Sequence, residues 1–243
     1  MRINGIIWFY VFLASGMALM LLAGCKKDSN NNSTTAVFNP NLKYGTMTDQ
    51  DGNICNTIQI GKQVWMAENL KVTRYRNGDE IGTTDPETLS IASEINPEYQ
   101  WPGMNNVSQV ATYGRLYTWY AVNDSRNIAP KGWHVASYQE WITLSDSLGG
   151  KSLAGGKLKE TGTTHWVSPN TGATNESGFT ALPGGLRDPG GFFYTDGHSA
   201  NWWTTTESVS PEVWYTYADA VTNQLLFLST NKSLGYFVRC VKD

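Results

Sequence analysis

The sequence predicts an α+β fold, with two short helices early and short antiparallel strands joined by long loops late. Three observations predict it. Helical recurrence and capping signals appear only before Gly150. After Gly150, Gly and Pro pairs punctuate short aromatic and β-branched runs. No regular strand–helix alternation of the kind that builds a parallel sheet is present.

The elements follow in chain order. Tyr44 to Met66 reads as a β-hairpin, with Asp51-Gly52-Asn53 as its turn and Ile54, Ile58, Ile60, Val64 and Trp65 in its flanks. Asp49-x-Asp51-Gly52-Asn53 has the look of half a calcium loop. It lacks the distal bidentate acid that closes one, so turn chemistry is the simpler reading. Arg74 to Gly103 is polar and turn-rich and reads as a long irregular insertion. Leu116, Trp119, Tyr120 and Ala121 recur helically within Tyr113 to Val122, predicting a short helix. Ser137 to Leu148 predicts the clearest helix: Ser137-x-x-Glu140 is a capping box, Trp141, Leu144 and Leu148 share a face, and Gly149-Gly150 ends it. Beyond Lys151 helix signals fade. Phe192 to Tyr194, Trp202 to Thr206, Val213 to Tyr217, Leu225 to Leu228 and Tyr236 to Val241 read as strands, and Gly-rich Pro183 to Gly191 reads as a wide loop.

Composition excludes several partners. With 18 Lys+Arg against 21 Asp+Glu and a net charge of −3, the chain offers no basic surface for a phosphate backbone. Hydrophobic residues at 40% are too many for a disordered chain. Ten Trp and twelve Tyr supply side chains suited to cores, interfaces and sugar-stacking surfaces.

Residues 1–24 read as an address. Arg2 is followed by an apolar run from Ile6 to Leu22, ending Leu22-Ala23-Gly24-Cys25. Those four residues resemble a bacterial lipobox, which implies cleavage before Cys25 and acylation of its sulfur and amine. Several acyl chains anchor stably, at about 0.8 kcal/mol per buried CH₂. The charged Lys26-Lys27-Asp28 that follows resembles the start of surface-directed lipoproteins. The expectation is a lipid-anchored protein of the bacterial outer membrane, on its periplasmic or cell-surface face. Residues 25–42 are expected to be a flexible tether, because Ser29 to Pro40 is polar and turn-rich with no apolar period. The globular domain is expected over residues 43–243.

Cys55 and Cys240 remain. In an oxidising compartment they form either a bridge between first and last strands or two separate buried thiols. A bridge would remove on the order of 5 kcal/mol of unfolded-state freedom in the chain-entropy model. His134, His165 and His198 are scattered, so no metal site is assigned.

Seven segments carry a resemblance to a known family. They are IGKQVWMAENL (60–70), YGRLYTWYAV (113–122), KGWHVASYQEW (131–141), LKETGTTHW (158–166), ATNESGFTALPGGLRD (173–188), WWTTTES (202–208) and GYFVRCVKD (235–243). In this order they resemble the Fibrobacter succinogenes major paralogous domain, over about Tyr44 to Asp243. The resemblance implies a secreted or lipid-anchored bacterial protein of poorly defined function. It also implies a C-type-lectin-like fold, related to formylglycine-generating enzymes. Ala129 stands where many relatives carry a Cys, which leaves Cys55 as the one partner for Cys240. The oxidase branch needs a reactive late Cys pair, and calcium-dependent lectins need E-P-N or Q-P-D with W-N-D; neither set is present.

No Ser or Cys nucleophile signature and no phosphate loop is present, and no cofactor or catalytic residue is assigned. Binding is the expected function, of a glycan or a surface protein. In lectin-like domains the loop region between late strands forms the ligand face. That resemblance selects Trp166, Arg187, Asp196, His198, Trp202, Trp203, Glu207 and Trp214 as ligand-binding candidates. Two alternatives stand beside it: a structural surface-assembly module, and a degenerate oxidase-like enzyme.

Overall fold

The β-type runs near the N-terminus form an antiparallel meander in the computed structural model, which describes residues 35–83, 95–100, 102, 107–194 and 197–243. Strands β1 (Gly45–Thr48), β2 (Ile54–Ile60) and β3 (Gln63–Met66) follow each other through two tight turns. Asp49 builds the first turn. Its Oδ1 accepts the amides of Asp51 and Asn53 at 3.0 and 2.9 Å, and Gly52 sits at φ 83°. Asp51 Oδ2 accepts the Thr73 amide at 2.6 Å. These carboxylates serve the backbone, in keeping with turn chemistry.

The insertion yields two short strands, β4 (Gly82–Thr83) and β5 (Glu98–Gln100). The helix expected over 113–122 is broken in two. A single turn, α1 (Val110–Tyr113), stops at Gly114, then β6 (Leu116–Tyr117) pairs with β5, and α2 (Trp119–Val122) follows. Gly114 has φ 81°, and a Cβ there would stand 2.7 Å from the Asn69 Cβ. Close approach of two chain segments therefore overrides the helical pattern.

Strand β7 (Trp133–Val135) leads into α3 (Tyr138–Ser147), which carries the predicted capping box. Helix α4 (Lys151–Leu158) was not expected, because Gly155 and Gly156 lie inside it. Packing explains them. A Cβ on Gly155 would meet the Gln224 carbonyl oxygen at 2.0 Å, and one on Gly156 would meet that of Gly172 at 2.5 Å. Two loops press their backbones onto this helix, so glycine's poor helix propensity is outweighed. The wide loop expected over 183–191 is instead a tight hairpin, β8 (Leu186–Arg187) with β9 (Phe193–Tyr194). Strands β10 (Ser199–Glu207), β11 (Val213–Asp219) and β12 (Leu226–Thr230) form an antiparallel sheet. The last strand, β13 (Cys240–Lys242), inserts between β3 and β7 and completes a five-stranded sheet of order β1-β2-β3-β13-β7. The architecture is α+β, with strands in several small sheets and few helices.

Two hydrophobic clusters lie on opposite faces of these sheets. Consecutive strand residues point opposite ways: Trp65 and Val241 enter one cluster, Met66 and Cys240 the other. The first cluster holds an aromatic stack in which Trp141 lies 4.9 Å from Trp65, 5.5 Å from Trp202 and 5.6 Å from Phe179.

Arg239 ties the elements together. Its Nε donates to Asn69 Oδ1 at 2.6 Å, and its Nη1 to the carbonyls of Met66 and Phe179 at 2.8 and 3.0 Å. Asn69 Oδ1 also accepts the Trp202 indole N–H at 2.9 Å, and its amide donates to the Tyr113 carbonyl. Lys159 is equally buried. Its ammonium donates to the carbonyls of Thr171, Asp219 and Thr222 at 2.7–2.9 Å. Burial pulls its pKa down to about 8, with the Asp219 charge opposing.

Two expectations need correction. The segment from Thr35 to Leu42, expected as tether, is docked onto the domain. The Val37 amide donates to the buried Glu160 Oε1 at 2.5 Å, and Glu160 Oε2 meets His165 Nδ1 at 2.6 Å. Phe38 packs edge-on against Tyr44, and Asn39 donates to the Asn175 carbonyl. The Cys55–Cys240 bridge is absent: both are free, buried thiols. Strand β3 lies between β2 and β13, so the strands carrying the two thiols stand about 10 Å apart, beyond the reach of a disulfide at about 7 Å between Cα atoms.

His134 closes the sheet edge. Its Nε2 meets Glu140 at 2.6 Å and its Nδ1 meets the C-terminal residue's Asp243 side chain at 2.7 Å. Burial opposes its charge, but the bonds to Asp243 and Glu140 outweigh burial and raise its pKa. The Glu140 pKa is lowered: burial opposes its charge and is outweighed by the Ser137 amide and His134. A raised His pKa contributes stability that is full below the unfolded value of about 6.5 and is lost as pH rises through the folded value. The Glu140 contribution is lost on the acid side, as pH falls below about 4.3.

Two outcomes follow from this packing. Gly155→Ala lowers the urea midpoint by about 2 kcal/mol of stability despite the roughly 1 kcal/mol gain in helix propensity, while the exposed Ser152→Ala leaves it unchanged. The melting-temperature gap between the wild type and His134→Gln is largest near pH 6 and shrinks by about pH 9.

Candidate functional site

Most sequence-selected ligand residues are interior. Trp202 and Trp203 are both 0% exposed. They are neighbours in β10, a strand covered on both faces, so each enters a different core cluster. Their indole N–H groups are committed, Trp202 to Asn69 and Trp203 to the Tyr117 carbonyl at 2.7 Å. Trp166 is buried with its N–H on the Ala181 carbonyl at 2.9 Å. Arg187 is buried too, its guanidinium 5.2 Å from the Phe193 ring. A ligand cannot stack on these four residues. Trp214 is half-buried against Tyr138, ring centroids 4.7 Å apart. Glu207 is exposed and paired with Lys232, and His198 is exposed. Asp196 and Cys25 lie outside the described residues. The expected tryptophan face is therefore absent among the described residues.

The exposed aromatic surface lies elsewhere, on the β8–β9 hairpin. Arg187 and Phe193 face each other across it and point inward, where the Arg187 amide donates to the Gly235 carbonyl at 3.0 Å. Alternate residues must then point out. Phe192 is 68% exposed and Tyr194 51%. Asp188 sits between them: Oδ1 accepts the Phe192 amide at 3.0 Å and Oδ2 accepts the Tyr194 hydroxyl at 3.2 Å. That hydrogen bond to the Asp188 carboxylate raises the Tyr194 pKa. The turn itself is closed by the Gly191 amide on the Asp188 carbonyl. The result is an outward plate of two exposed aromatic residues joined through one carboxylate.

The sequence carried this signal in DPGGFFY (188–194): a Pro-Gly turn followed by aromatics two apart. The tryptophan-bearing strand 202–206 carries an equally aromatic signal, and composition alone does not separate a strand covered on both faces from one that is exposed. Among the described residues no three His, Cys, Asp or Glu side chains gather as a metal ion would need. Burial pushes the Cys55 thiol up to about 11, and drives Cys240 higher still. Neither thiol is a nucleophile at neutral pH.

No curated protein and no solved structure matches the chain. The family model for the Fibrobacter succinogenes major domain matches residues 58–242, a span that takes in most of both core clusters, the hairpin and the closing strand. The chain belongs to the Fibrobacter succinogenes major domain family.

Proposed function

We propose that the protein is a lipid-anchored, exported bacterial lipoprotein whose domain binds carbohydrate at the cell surface without chemical turnover. Its fold is read as C-type-lectin-like, with the ligand on the outward plate of the β8–β9 hairpin. The observation that carries this reading is the pair of exposed rings, Phe192 and Tyr194, flanking the Asp188 carboxylate. Aromatic faces accept the C–H face of a pyranose, and a carboxylate and a phenol exchange hydrogen bonds with its hydroxyls. The inward half of the hairpin is fixed by Arg187, so the plate meets a ligand with little ordering cost. The lipobox-like Leu22-Ala23-Gly24-Cys25 supports the anchor and an outer-membrane address. The buried thiols give no support to the oxidase-like alternative.

A glycan array probed with the full chain in detergent tests the binding. Wild type binds at least one neutral polysaccharide, and Phe192→Ala with Tyr194→Ala weakens that binding at least tenfold, about 1.4 kcal/mol. Binding that survives the double variant ends the hairpin assignment. Metabolic labelling with an alkynyl fatty acid in a Gram-negative host tests the anchor: wild type takes the label and Cys25→Ala does not.

A further inference from the structure

A polar cavity lies away from the hairpin. It is a cleft of about 220 Å³ between the loop after α2, strand β7 and strand β10. Buried Val122 and Val135 line it. Two of its polar groups are already held. Asp124 is gripped by the Arg126 side chain through two bonds of 2.9 and 2.8 Å, and His134 is fixed between Glu140 and Asp243.

Three others are not. Asn127 sits at φ 63° and gives its Oδ1 to the Ala129 amide at 2.8 Å, which leaves its Nδ2 donors uncommitted. The side-chain amide of Asn123 and the hydroxyl of Thr205 make no hydrogen bond among the described residues. All three line the same cleft, on elements whose backbones are fixed. The Asn127 left-handed turn is held by its own side chain, and the Thr205 amide bonds the Ala136 carbonyl at 3.2 Å. Such groups are satisfied by water or by a ligand that offers several hydroxyls.

The charges narrow the class. Asp124 is neutralised by Arg126, whereas His134 carries at most one positive charge between the two carboxylates of Glu140 and Asp243, which leaves that wall negative overall. An anion is disfavoured there. The volume is below the usual range for drug-sized ligands. It suits one six-membered sugar ring.

We propose that this cleft binds a single neutral sugar residue, with Asn127, Asn123 and Thr205 bonding its hydroxyls above the buried floor of Val122 and Val135. This rests on the carbohydrate reading of the protein but not on the hairpin. The cleft would receive a chain end or branch, while the hairpin plate meets the flat of a polymer.

Saturation-transfer NMR on the full chain in detergent tests it, with methyl glycosides of glucose, galactose, mannose and N-acetylglucosamine as probes and glucuronic acid as the anionic control. At least one neutral glycoside gives a signal. Thr205→Val and Asn127→Asp each weaken its affinity at least tenfold, and Thr205→Ser restores it. Both variants are near-isosteric, and Asn127→Asp keeps the acceptor that holds the turn. Glucuronic acid gives none. The cleft variants are also compared in the Phe192→Ala, Tyr194→Ala background, where the hairpin no longer contributes to the monosaccharide signal and the same tenfold loss is expected. The cleft assignment is overturned by silence from every neutral glycoside, by equal binding of glucuronic acid, or by binding that persists in both cleft variants.

Discussion

Arg239 is completely buried, and among the described residues no carboxylate pairs with it. Burial disfavours its charge and lowers its pKa. What holds the guanidinium is a ring of oxygens: the Asn69 side chain and the carbonyls of Met66, Phe179 and Thr180, with the Phe179 ring 4.1 Å away on one face. Those oxygens come from the end of the first meander and from the chain before the β8–β9 hairpin. A buried cation left unpaired is expensive, so every donor of this fork must find its acceptor for the structure to stand. The Lys159 ammonium repeats the device between two other loops. Main-chain carbonyls thus act as the counter-charge of this domain. The long irregular segments are fixed because their carbonyls face these two cations.

This explains how glycine-rich loops with little secondary structure are held rigid enough to present a surface. The segment 159–185 contains no helix or strand in the structure. Its order derives from Trp166, Phe179 and the two cation cradles. The hairpin that follows is built on Arg187, itself buried under Phe193. The exposed rings stand on a support that extends back to the centre of the domain.

The residues that were legible from sequence were those with local rules. The Asp51-Gly52-Asn53 turn, the Ser137–Glu140 capping box, the Gly149 stop and the β-type runs are set by neighbours a few positions away. Gly155 and Gly156 were illegible, because the backbones that require them arrive from residues 172 and 224. The Trp202-Trp203 pair was misread for the same reason. A strand covered on one face and one covered on both differ only in what packs against them. The helical recurrence of 113–122 was real as a pattern, and Gly114 broke it through contact with Asn69. The family itself was legible because its motifs are the packing residues: WWTTTES supplies both cores, and GYFVRCVKD supplies Arg239 and the closing strand. Of the hairpin plate, the motif segment 173–188 carries only Asp188, while its rings Phe192 and Tyr194 lie beyond it, so the motifs did not mark the exposed aromatics.

The position of Arg239 and β13 has a consequence for the order of assembly. The strand that joins β3 to β7 and the cation that gathers the loops are neighbours in sequence, while the Asn69 and Met66 oxygens that receive the guanidinium lie 170 and 173 residues away. Contacts of such long separation close late, because the chain between them must first be ordered. The sheet and the cation cradle are therefore completed together, and a change at Arg239 unfastens both rather than trimming one edge.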